Sequence, residues 1–226
     1  HRQMKAAVPF LDLRVLKTKE YALSVFGSIL LYLVLMGSSM LMPLYVQSIL
    51  GKSATISGLV VLPGSLVSAF LSPIAGRIYD KVGIRILTII GGSSLVLSNI
   101  GMFFIHIHTG IWMAVCLNIL RCAATGCLLM PFVTWGNKNI PPELTAHGTA
   151  LLTSLRTVAG AIGTAVFVGI MNTVARNSHT LTGSAALLHG MNVSFLVMTV
   201  ASGLLLFTGL FLIKDSRTEV LIEVEN

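Results

Sequence analysis

The sequence predicts an all-α integral membrane protein. Three observations carry that expectation: a mean hydropathy of +0.88, charged residues at only 10% of 226 positions, and long apolar stretches that recur along nearly the whole chain. A helix needs about 20 residues to cross about 30 Å of hydrocarbon, and a water-soluble domain of this size has no use for so much apolar sequence. Six stretches meet the requirement, at 21–50, 56–78, 84–107, 111–133, 148–174 and 186–213. They divide the chain into a leading segment, 1–20, a six-helix bundle, 21–213, and a tail, 214–226.

The formal net charge is +7, but its distribution argues against a nucleic-acid partner. Arg2, Lys5, Arg14, Lys17 and Lys19 precede span one, and Arg77, Lys81 and Arg85 separate spans two and three. Lys138 separates four and five, and Lys214 and Arg217 follow six. The alternate loops hold only Lys52 and Arg176. Basic residues gather on the cytoplasmic side of membrane helices, so both ends of this segment are predicted to be cytoplasmic, as an even number of spans requires. The sequence opens on His1 with no charged leader and cleavage site ahead of span one, and reads as a piece of a longer chain.

Ahead of span one, VPFLDLRVLKTKEY mixes apolar and basic residues. Two readings are open: a segment lying on the membrane with its basic side toward anionic headgroups, or a solvated linker. Span one is long for one crossing and holds Gly37 and Pro43, which predicts a tilt or kink near GSSMLMPLYVQ. Span two carries Pro63, Gly64, Pro73 and four serines, whose hydroxyls can satisfy backbone groups that proline frees; such a helix can bend. Span four contains Cys116, Cys122 and Cys127. Placed in a membrane helix and lacking paired metal-site spacing, they read as small packing residues. Span five is rich in small residues, Gly148, Ala159, Gly160, Gly163, Ala165 and Gly169, which permit close backbone approach. Span six is the most uniformly apolar and is predicted to face lipid.

Two positions exceed what packing needs. Arg121 lies about the middle of span four and Arg156 some eight residues into span five. A central arginine costs roughly 2.5 to 3.5 kcal/mol on insertion scales and therefore faces a cavity or a partner. At about 1.5 Å per residue both sit near the bilayer middle, the depth at which carrier proteins bind cargo. Two roles are open to each, a cargo contact or a structural clamp on nearby oxygens. Asn118, Arg121, Cys122, Thr125 and Leu129 share one helical face, a polar stripe that either looks at water and ligand or bonds a neighbouring helix. Every Asp and Glu lies in a terminus, a loop or a span end, so no span supplies the buried carboxylate that proton coupling uses. His106 and His108 form an HxH pair at the end of span three, and His147, His179 and His189 lie near other span ends, with no third ligand at metal-site spacing. No catalytic motif is present: the chain is read as no enzyme, without cofactor or metal.

The loop "SPIAGRIYDKVGIR", Ser72 to Arg85, sets four charges, Arg77, Asp80, Lys81 and Arg85, within nine residues around Gly76 and Gly83. Its GRIYDKVGIR core resembles the signature loop of the major facilitator superfamily, G-x-x-x-D-[RK]-x-G-[RK]-[RK]. Gly76, Asp80, Lys81, Gly83 and Arg85 match, and Ile84 stands where the strict motif has a base. With PPELTAHGTALLTSLRTVAGAIGTAVFVGIM, the chain resembles over its whole length the C-terminal half of the fourteen-helix drug:proton antiporter family. The resemblance implies a six-helix half-bundle in a bacterial plasma membrane. It would pair with an N-terminal half of the same chain, and the main coupling carboxylates would lie there or at positions this sequence has not kept. Some family members carry acidic residues in the helix corresponding to span five; this chain has none there.

The expected activity is proton-driven export of lipophilic compounds, with the N-terminal half, membrane lipid, a small lipophilic cargo and protons as partners. Tyr32, Met36, Gln47, Asn118, Arg121, Thr125 and Arg156 are the candidate cargo contacts. Gly76, Arg77, Asp80, Lys81, Gly83 and Arg85 form the candidate conformational latch. Within it Gly76 would permit close helix contact, Gly83 would take a positive φ, and Asp80 would pair with a nearby base or a helix end. Two alternatives stand beside export: a carrier of an anionic metabolite, siderophore or lipid anchored on Arg121, and a non-transporting six-helix membrane module.

Overall fold

The computed structural model describes residues 16, 18–107, 109–178 and 181–213. Apart from Leu16, the stretch before Thr18 lies outside those residues, as do His108, His179 and the tail from Lys214, so the interfacial reading of the leading segment falls there. Among the described residues the regular structure is entirely helical. Helix α1 spans Lys19–Leu44, α2 Ala54–Phe103, α3 Ile111–Lys138, α4 Thr145–Arg176 and α5 Ser184–Phe207. A hydrocarbon environment selects this architecture because a helix satisfies its own backbone N–H and C=O groups where no water can. Among the described residues five helices are long and apolar enough to cross a membrane. Their outward side chains include Phe70, Leu59, Trp112 and Val200, all more than 60% exposed, as lipid-facing residues would be.

Helix α2 is 50 residues long and merges two predicted spans. Gly83 interrupts it with φ 79° and ψ 173°, a region that only glycine occupies without strain. Residues 54–82 and 84–103 are therefore two helical arms meeting at one residue, with no loop between them. Pro63 and Pro73 both lie within the first arm, which remains helical through them. The predicted kink near Pro43 takes a different form. Helix α1 continues through it and then widens into a π-helical turn over Tyr45–Ile49. A second π turn, Thr208–Leu212, ends α5.

The core runs the length of the bundle and gathers Leu31 and Val34 from α1, Leu95 and Met102 from α2, and Leu128 and Phe132 from α3. Helix α5 contributes Met191, Phe195 and Met198, each fully buried. This corrects the expectation that span six simply faces lipid: one side of α5 packs in the core while Val200, Leu204 and Phe211 point outward. Uniform hydropathy hides that division, because an apolar side chain suits lipid and protein interior equally.

Polar groups fasten the helices to one another. Tyr21 donates from its hydroxyl to the Gly148 carbonyl at 2.7 Å, Ser98 to Leu117 O at 2.6 Å and Ser194 to Phe167 O at 2.9 Å. Asn99 Nδ2 donates to Ser202 Oγ at 2.9 Å. Small residues bring α4 close to its neighbours. A Cβ on Gly163 would meet the Leu33 carbonyl oxygen of α1, and one on Gly190 of α5 would meet the Met171 carbonyl oxygen. The small-residue reading of span five holds for Gly160 and Gly163, whereas Gly169 faces open space.

Candidate functional site

Three walls enclose a cavity of about 440 Å³. Helix α1 supplies Leu35, Ser38, Ser39 and Met42, the first arm of α2 supplies Ser65, Ser68 and Ser72, and α3 supplies Asn118, Arg121, Cys122 and Thr125. The serines of α2 recur at three- and four-residue spacing and so share a face. That spacing was visible in the sequence; which neighbour the face meets was not. Close approach of α2 to α3 depends on Gly126, where an added Cβ would lie 2.9 Å from the Ser68 carbonyl oxygen.

Arg121 is the charged group of this wall and is only 3% exposed. Its Nη2 donates to Asn118 Oδ1 at 2.5 Å, one helical turn back, and its guanidinium carbon stands 5.9 Å from the centroid of the Phe195 ring of α5. Arg121 Nη1 and Asn118 Nδ2 are buried and make no hydrogen bond among the described residues. The Cys122 thiol also approaches Asn118 Oδ1, at 3.8 Å. Among the described residues no carboxylate lines the cavity.

The sequence-derived cargo contacts separate into three places. Asn118, Arg121 and Thr125 meet in the cavity. Arg156 stands elsewhere, with its guanidinium carbon 5.2 Å from the Tyr32 ring centroid, and Tyr32 and Met36 pack where a Cβ on Gly160 would fall. Arg156 Nε is buried without a hydrogen-bond partner among the described residues. Gln47 belongs to the π turn and is exposed, away from both clusters. The three cysteines are unpaired. Cys116 is exposed rather than packed, and Cys122 is part of the cavity wall.

At the end of the bundle that carries the charged motif, Asp80 Oδ1 and Lys138 Nζ of α3 are 4.0 Å apart, and Lys138 lies 5.0 Å over the Tyr79 ring. Arg85 Nη2 donates to Leu210 O of the second π turn at 3.2 Å. The motif thus ties α2 to α3 and to the end of α5. Gly83 has the positive φ expected of it. Gly76 does not fulfil its predicted role: nothing lies within 4 Å of where its Cβ would be, so no helix contact among the described residues requires a glycine there. Arg77 is exposed. At the opposite end a smaller pocket of about 320 Å³ contains His106, His189 and Asn192, and among the described residues no group of three metal-ligating side chains exists.

The family model described as Major Facilitator Superfamily matches residues 2–164. The chain belongs to the major facilitator superfamily. This superfamily chain is thus a member of a transporter family, not an enzyme family. An uncharacterized MFS-type transporter of Bacillus subtilis, YcnB, is 37% identical to it over 199 residues, 88% of this chain and 42% of its own length. The lincomycin resistance protein LmrB of Listeria innocua is 33% identical over 174 residues, 76% of this chain and 36% of its own length. The multidrug export protein EmrB of Escherichia coli is 28% identical over 170 residues, 70% of this chain and 31% of its own length. The chain therefore spans less than half the length of each of these three relatives.

Proposed function

We propose that this superfamily chain is the C-terminal six-helix half of a secondary active transporter that exports lipophilic compounds by proton antiport with alternating access. The observation that carries the reading is the cavity around Arg121, a polar recess with apolar walls inside an otherwise apolar bundle. A buried arginine in a membrane protein is costly and marks a ligand or ion path more often than a structural need. The break at Gly83 supports counting six crossings. An unbroken helix of 50 residues would run about 75 Å, against a hydrocarbon thickness of about 30 Å. The basic residues at alternate ends support a cytoplasmic location for both termini of the segment in a bacterial cell.

The lincomycin resistance and multidrug export relatives support drug-like cargo. Among the described residues the cavity wall has no carboxylate, which favours coupling groups in the remainder of the transporter. The Asp80, Lys138 and Arg85 contacts would latch one side of the cycle. The test is export from everted vesicles holding the whole transporter, driven by an imposed proton gradient, with Arg121→Ala alongside the unaltered protein. Gradient-dependent uptake that falls in the variant is the expected result; uptake indifferent to the gradient would overturn the antiport reading.

A further inference from the structure

We propose that the Arg121 cavity selects cargo by charge: it takes amphiphiles carrying a carboxylate or similar oxyanion together with hydroxyl or amine donors, and disfavours lipophilic cations. The proposal rests on the cavity being the cargo site and adds the chemical class that it reads.

The first observation is the donor pair. Arg121 carries a guanidinium, is 3% exposed, and lines a cavity with no acid among its described lining residues. Its bond to Asn118 leaves Arg121 Nη1 and Asn118 Nδ2 without acceptors. Unsatisfied buried donors are costly, the more so when one is ionised. A guanidinium pairs strongly with a carboxylate, so an oxyanion seated in the cavity beside Arg121 supplies the countercharge that the lining residues lack. A cation in the same place meets an uncompensated positive charge in a medium that screens it weakly.

The second observation comes from the hydroxyl groups around the cavity. Ser38 donates its hydroxyl proton to Leu35 O at 3.0 Å, Ser39 to Met36 O at 2.8 Å, Ser65 to Val61 O at 3.4 Å and Thr125 to Cys122 O at 3.0 Å. Such back-bonding to the preceding turn commits the hydroxyl hydrogen to the helix. What these four oxygens turn toward the cavity is therefore lone pairs. The recess is donor-rich at Arg121 and Asn118 and acceptor-rich at Ser38, Ser39, Ser65 and Thr125, a polarity that a molecule with one acidic end and several hydroxyl groups complements and that a purely apolar cation does not.

The experiment uses the whole transporter in lipid nanodiscs and three probes below micellar concentration: cholate, which has a carboxylate and hydroxyls; its methyl ester, which removes only the charge; and tetraphenylphosphonium. Equilibrium binding is expected to favour cholate over the ester and the cation by about tenfold or more, the scale of a charged hydrogen bond. Arg121→Gln should abolish that preference, and Arg121→Lys should restore part of it; both variants are first checked for monodisperse elution. Ser65→Ala should weaken cholate while leaving tetraphenylphosphonium unchanged. Equal affinity for cholate and the cation, absence of cholate binding, or a cholate preference that survives Arg121→Gln would each overturn the proposal. Gradient-driven cholate uptake is measured on the same preparation. Selective binding without uptake defeats proton-coupled export and leaves charge selection standing, so the two failures are distinguishable.

Discussion

Substituting Gly163 by alanine tests how tightly α1 and α4 are joined. The added Cβ would stand 3.0 Å from both the carbonyl carbon and the Cα of Leu33 and closer still to its oxygen. Carbon atoms in ordinary contact lie about 3.5 to 4.0 Å apart, so the helices must separate by about 0.5 to 1 Å. The obstacle is backbone and cannot rotate aside, which puts the cost at about 1 to 3 kcal/mol, the range found for overpacked cores. Gly169→Ala, on the same helix but facing open space, is the matched control. It carries the same gain in helix propensity, up to about 1 kcal/mol, without the collision. Denaturant titration of the whole transporter in bicelles is expected to show Gly163→Ala less stable than Gly169→Ala, which is unchanged or stabilised, with the two separated by about 1 to 3 kcal/mol. Transport by Gly163→Ala should also fall, because separating α1 shifts the wall that bears Leu35 and Ser38. Equal stability of the two variants would refute the reasoning.

Three further predictions concern the ends and joints of the bundle. Gly83→Ala forces a side chain into a backbone region reserved for glycine and should cost about 1 to 3 kcal/mol, read as a loss of folded protein after mild heating. Asp80→Asn and Lys138→Gln remove an ion pair whose side chains are 70% and 61% exposed; stability should change little, since such pairs contribute about 0 to 1 kcal/mol, while site-specific fluorescence should report a shifted ratio of inward-open to outward-open protein. Tyr21→Phe deletes a buried hydrogen bond to the Gly148 carbonyl and should lower unfolding free energy by about 0.5 to 1.5 kcal/mol, measured in the same titration.

Hydropathy made the helices legible almost to their ends. Span four was expected at 111–133 and the helix is Ile111–Lys138; span one was expected at 21–50 and the helix with its π turn ends at Ile49. The joint at Gly83 was readable as a glycine needing positive φ, but the continuity of helix on both sides of it was not, because charged residues in a sequence look like a loop whether or not the backbone stays wound. The site was half legible. Spacing placed Asn118, Arg121 and Thr125 on one face, and they share a cavity. No periodicity states which helix lies opposite, so Tyr32, Met36 and Arg156 were grouped with them although they form a separate cluster, and Ser65, Ser68 and Ser72 were passed over. Gly76 failed for the same reason: whether a glycine abuts a neighbour depends on the partner, which one strand of sequence does not carry.

The joining of two crossings through one residue has a mechanical result. A flexible connector would let either crossing shift alone, whereas here relative movement of the two arms is confined to the φ and ψ of Gly83, the soft torsions of a single residue. Residues 84–103 are held by Ser98, Asn99 and Arg85 through their bonds to α3, α5 and the second π turn, so torsion at Gly83 moves the other arm relative to them. Ser65 stands 18 positions away, about 27 Å along the helix, and a turn of about 5° at the joint carries it about 2 Å. The serine wall of the cavity is thereby geared to the charged end of the bundle, with Gly83 as the axle.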